Sequence, residues 1–92
     1  MNEITVLIAD DHPIVRQGLR QTIEEDRHLR VVAEASDGEQ AVAAVAEHSP
    51  RVTILDVDMP VMNGFDAARA IRKQGLATEI VFLTMQDRKS VV

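Results

Sequence analysis

Four short apolar runs, Ile4–Ala9, Val31–Ala35, Val52–Leu55 and Ile80–Leu83, recur along the sequence with long connections between them. Each is rich in Val, Ile, Leu or Ala and does not alternate with polar residues, the pattern of a strand covered on both faces. The connections carry helical spacing. Val15, Leu19 and Ile23 fall at i, i+4 and i+8 across a segment from about Pro13 to Glu25. Pro13 suits the first turn of that helix, where its missing N–H would be unpaired anyway. Ala41, Val42 and Val45 make the stripe of a second helix over Glu39–Glu47, entered through a turn at Asp37-Gly38. A third, Phe65–Gln74, turns Ala68 and Ile71 inward and is stopped by Gly75. Strands joined by helices pair in parallel through right-handed crossovers. The expectation is an α/β fold, a three-layer sandwich around a parallel sheet.

Size and charge narrow the function. The 92 residues make one domain, 1–92. No run approaches the roughly 18 apolar residues of a membrane span, and the start Met1-Asn2-Glu3 lacks the basic opening of a signal peptide. With no cysteine, a disulfide or a thiolate metal site is excluded. A net charge of −5 argues against direct nucleic-acid binding through phosphates, and Phe65 and Phe82 as the sole aromatics provide no stacking platform.

In open parallel sheets, ligands bind outside the carboxyl ends of the strands. There the first run ends in Asp10-Asp11, the third in Asp56, the fourth in Thr84, and the second leads into Ser36-Asp37. Singly, each has an ordinary explanation: Asp11 as a helix cap, Asp56 as a turn residue before Pro60 and Gly64, Thr84 as a strand former. Together, carboxylates gathered on one rim repel one another and call for a cation. Mg²⁺ suits a site of one or two carboxylates, waters and phosphate oxygens. A carboxylate beside such an ion can act as a nucleophile toward phosphorus.

At these positions the sequence resembles the receiver domains of two-component response regulators. Asp10-Asp11-His12-Pro13-Ile14-Val15-Arg16-Gln17-Gly18-Leu19 is similar to their first strand-to-helix turn. Leu55-Asp56-Val57-Asp58-Met59-Pro60-Val61-Met62-Asn63-Gly64 resembles their phosphoacceptor loop, and Val81-Phe82-Leu83-Thr84 their fourth strand. The Asp-Asp-His-Pro opening is most similar to the NarL/LuxR-type subfamily, whose output domain is a DNA-binding helix-turn-helix. The resemblance implies a flavodoxin-like fold with strand order 2-1-3-4-5 and a cytoplasmic signalling protein rather than an enzyme. It implies that Asp56 takes a phosphoryl group from a sensor histidine kinase, controlling an output domain outside this chain. Asp11 would bind Mg²⁺ directly, Asp10 through water or hydrogen bonding, and Asp58 through its backbone carbonyl. Thr84 would contact the phosphate, while Pro60 and Gly64 shape a loop that keeps Asp56 accessible.

The sequence also departs from the family, which has a fifth strand with an aromatic switch residue, a following Lys and a fifth helix. Lys89 comes too soon after Thr84 for that Lys and reads as an exposed charge at the start of a fourth helix. A truncated receiver of order 2-1-3-4 is expected, self-associating through its fourth strand because Glu79 and Asp87 are too peripheral to protect that edge. Two alternatives stand beside a working receiver. One is a non-signalling fragment acting only in protein association. The other is a haloacid dehalogenase-type phosphatase built on Asp56-Val57-Asp58, although that family places a second acidic pair late in the chain.

Overall fold

The computed structural model describes residues 3–84. Within them the chain runs β1 (Ile4–Ala9), α1 (Pro13–Glu24), β2 (Leu29–Ala35), α2 (Gly38–His48), β3 (Val52–Asp56), α3 (Gly64–Lys73) and β4 (Glu79–Leu83). The strands form one parallel sheet of order β2-β1-β3-β4, the expected topology. Local chemistry explains the boundaries. Pro13 opens α1. Asp37 Oδ1 accepts from Gln40 N at 2.7 Å and caps α2, and Asn63 Oδ1 accepts from Asp66 N at 2.8 Å and caps α3. Gly75, at φ +74°, follows α3 in the left-handed conformation that glycine adopts without a steric penalty.

The core has two parts. Leu7, Ala9, Ala35 and Leu55 pack with Ala41, Val42 and Val45 of α2 and with Ala67 and Ile71 of α3. Val6, Ile8 and Val31 meet Leu19 and Ile23 of α1. Fully burying a Leu or Ile contributes about 1.5–3 kcal/mol, so Leu7, Ile8, Leu55 and Ile71, all without exposed surface, anchor the sheet. Thr53 of β3 and Thr78, just before β4, share a buried hydrogen bond of 2.9 Å between their hydroxyls.

The α1 stripe of Val15, Leu19 and Ile23 is half-buried, with Leu19 and Ile23 packed on Val6, Ile8 and Val31. The open edge expected at β4 is present: Val81 is 50% and Phe82 42% exposed. Among the described residues β4 pairs with β3 and with no other strand. The expected fourth helix, Lys89 and Asp87 lie outside the described residues.

Candidate functional site

The parallel register places the ends of β1 and β3 side by side, with Ala9 opposite Leu55. Asp10 and Asp56 therefore leave adjacent strands at the same rim, one 0% and the other 2% exposed. Asp10 N donates to Ala35 O at 3.0 Å, and Asp10 O accepts from Arg16 Nη1 at 2.6 Å. Arg16 is held in turn by Glu34 of β2, at 3.1 Å from its Nε. The acidic turn is thus fixed through its backbone.

Side-chain geometry is more revealing. Asp10 Oδ1 accepts from His12 N at 2.8 Å and contacts His12 Nδ1 at 2.9 Å. The same Nδ1 lies 3.0 Å from Asp11 Oδ1, an ion-pair contact in which that oxygen gains no hydrogen bond. Asp56 Oδ1 accepts a long bond of 3.3 Å from Asp58 N. Asp10 Oδ2, Asp11 Oδ1 and Asp56 Oδ2 are buried without any hydrogen-bond partner. One ligand atom from each of Asp10, Asp11, His12 and Asp56 fits within 4.8 Å of all the others.

The electrostatic consequences follow from this crowding. The Asp56 carboxyl is pushed above the ordinary aspartate value, chiefly by burial and then by the negative charge of Asp10, with Asp11 adding to both. The Asp58 N–H opposes that shift only in part. His12 is also raised, first by its hydrogen bond to Asp10 and then by the charge of Asp11. A site with three partnerless carboxylate oxygens has donor atoms suited to a hard divalent cation. Asp10, Asp11 and Asp56 fit Mg²⁺ on that ground.

Two loops interlock beneath the site, each through a glycine. A Cβ on Gly64 would stand 2.4 Å from Asp56 O, and one on Gly38 would stand 2.0 Å from Met62 O. Gly64 N also donates to Val57 O at 2.9 Å, and Val57 N donates to Leu83 O at 3.0 Å, joining the loop after β3 to the end of β4.

The structure brings together Asp10, Asp11 and Asp56 as expected from the strand ends. The side chain of Asp58 is exposed and stands outside that cluster, and Thr84 directly follows β4. Asp37 serves as the cap of α2. Asp11 does not cap α1; the N-cap is His12, whose side chain makes no capping bond. The expectation of an accessible Asp56 is also corrected, because burial beside Asp10 leaves its side chain almost no exposed surface. Sequence reasoning missed His12 as a member of the cluster and Arg16 as the anchor of Asp10. The only available signal for either was its place within the quoted Asp10–Leu19 motif.

Comparison with known proteins places this geometry. A family model described as the response regulator receiver domain matches residues 6–92. The nitrate/nitrite response regulator protein NarP of Escherichia coli is 41% identical over 87 residues, covering 95% of this chain and 40% of that protein. A protein-glutamate methylesterase/protein-glutamine glutaminase of Hahella chejuensis is 46% identical over 79 residues, 86% of this chain and 22% of that protein. The receiver domain of a response regulator NarL from Mycobacterium tuberculosis superposes with a TM-score of 0.91 at 33% identity, covering 100% of this chain and 74% of that one. The chain spans about two-fifths of the length of the curated relatives it matches first. None of its described helices is long and apolar enough to cross a membrane.

Proposed function

The chain belongs to the response regulator receiver family, and on that premise we propose that Asp56 accepts a phosphoryl group from a phosphohistidine of a sensor kinase, with Mg²⁺ bound beside it. The receiver-family match over residues 6–92 favours this reading over the dehalogenase-type phosphatase. One observation carries the reading: partnerless oxygens of Asp10, Asp11 and Asp56 are buried together at the carboxyl ends of β1 and β3. Leaving polar atoms unpaired is costly, so a structure that gathers three of them holds a use for them.

In the transfer, a carboxylate oxygen of Asp56 attacks phosphorus as the phosphorus–nitrogen bond of the donor breaks, and the electron pair stays with the leaving imidazole. Mg²⁺ supplies charge neutralisation for the phosphoryl oxygens. Asp10 and Asp11 hold the cation, with the Asp58 carbonyl as a further oxygen ligand. Thr84, at the end of β4, contacts a phosphate oxygen. Asp56 is only 2% exposed, so transfer requires the donor to gain access to a buried carboxylate. The site is cytoplasmic and serves an output domain of the longer protein. The Asp10-Asp11-His12-Pro13 opening, similar to the NarL/LuxR-type subfamily, supports a DNA-binding output, whereas the relative named as a methylesterase supports an enzymatic one.

The exposed Val81 and Phe82 favour a second property, self-association through β4. Sedimentation at several concentrations checks it, and a strictly monomeric species at tens of micromolar removes it.

Incubation with acetyl phosphate tests the main reading. A working receiver forms hydroxylamine-reactive acyl phosphate that depends on Mg²⁺. A fragment serving only association forms none.

A further inference from the structure

His12 occupies the N-cap of α1 but does no capping: its side chain gives no bond to the helix. Residues favoured at that position use a side-chain oxygen there. The ring turns instead toward the acidic pair, with Nδ1 at 2.9 Å from Asp10 Oδ1 and 3.0 Å from Asp11 Oδ1. The backbone holds it in place. His12 is extended, at φ −101° and ψ 110°, as a residue before proline must be, and its carbonyl accepts from Arg16 N at 3.0 Å.

These spacings match those between neighbouring ligands of one ion. For metal–ligand bonds of about 2.1 Å meeting at right angles, adjacent donor atoms stand about 3.0 Å apart. We propose that His12 is a nitrogen ligand in this pocket, giving it a preference for borderline first-row cations such as Co²⁺ over Mg²⁺. Ligation through Nδ1 places the ring hydrogen on Nε2. A second observation points the same way: Asp10 and Asp56, more than nine-tenths buried, each keep a partnerless oxygen, and both belong to the group whose ligand atoms lie within 4.8 Å of one another. Carboxylates alone suit Mg²⁺ and Mn²⁺, whereas an added imidazole favours ions later in the series.

The inference rests on the metal pocket proposed above, so the experiment separates the two. Mg²⁺ and Co²⁺ are titrated calorimetrically into the wild-type chain, His12→Gln and Asp11→Ala, with circular dichroism confirming the fold of each. His12→Gln, a change at a largely exposed side chain, is expected to weaken Co²⁺ at least tenfold while Mg²⁺ stays within about twofold. Asp11→Ala is expected to weaken both ions. Pulsed electron paramagnetic resonance of the Mn²⁺-loaded wild type should show a directly bound nitrogen that His12→Gln removes. If His12→Gln changes both ions by the same factor, or neither, His12 is not a ligand although the pocket stands. If Asp11→Ala leaves both affinities intact, the pocket itself is misplaced and the inference falls with it.

Discussion

Asp10 and Asp56, on adjacent parallel strands, bring ligand atoms within 4.8 Å of each other while each keeps a buried oxygen that no hydrogen bond satisfies. The Asp56 carboxyl is raised by its burial and by the charge of Asp10. A pocket so charged is expected to weaken the metal-free fold.

Relieving that repulsion should therefore stabilise the protein. Asp56→Asn or Asp11→Ala is expected to raise metal-free stability by about 1 kcal/mol in urea denaturation with a chelator present. Millimolar Mg²⁺ should raise the wild-type melting temperature by binding the folded state, and should do so less in both variants. An unchanged wild-type melting curve would remove the metal site.

Acidity acts on the same cluster. His12 is raised from about 6.5 in the folded state, so its stabilising contact is complete below that value and is lost as pH rises through the raised one. Asp56 is raised from about 3.8, so its protonated form favours folding, and that contribution is lost as pH rises from there. Both have the same sign. Melting in a chelator should fall in midpoint as pH climbs from about 4 to about 8. Asp56→Asn should flatten the acid part of the curve and His12→Gln the neutral part. A midpoint that rises across this window contradicts the charges assigned to the pocket.

The glycine packed against the Asp56 carbonyl admits no side chain. At 2.4 Å from Asp56 O, a Cβ on Gly64 forces the strand end or the loop to move. Gly64→Ala is expected to cost about 1–3 kcal/mol and to reduce acyl phosphate formation. Denaturation paired with phosphorylation assays checks both effects.

Away from the site, the Thr53–Thr78 bond offers a double-mutant cycle. Thr53→Val or Thr78→Val alone strands a buried hydroxyl and should cost about 1–3 kcal/mol. The double variant should cost less than the sum of the two singles. Strict additivity would show that the hydroxyls do not depend on each other.

The elements were legible because their signals are local. Runs of Val, Ile and Leu marked β1 to β4, and Pro13, Asp37 and Gly75 marked helix ends to within about two residues. The convergence of Asp10, Asp11 and Asp56 was legible because parallel sheets put their strand ends on one rim. Contacts that depend on how loops fold against one another were not. His12 turned onto the acidic pair, Arg16 bonded to the Asp10 carbonyl, and Gly38 pressed against Met62 have no periodic signature. An apolar run such as Ile80–Leu83 shows that a strand could be buried, but not that anything packs on it.

Asp56 is the proposed phosphoacceptor. Treating the protein with acetyl phosphate and Mg²⁺, reducing the product with borohydride and mapping it by mass spectrometry tests this directly. Modification is expected at Asp56 alone, abolished in Asp56→Asn. Modification that persists at full level in Asp56→Asn, or that maps to Asp10, Asp11 or Asp58 in the wild type, would contradict it.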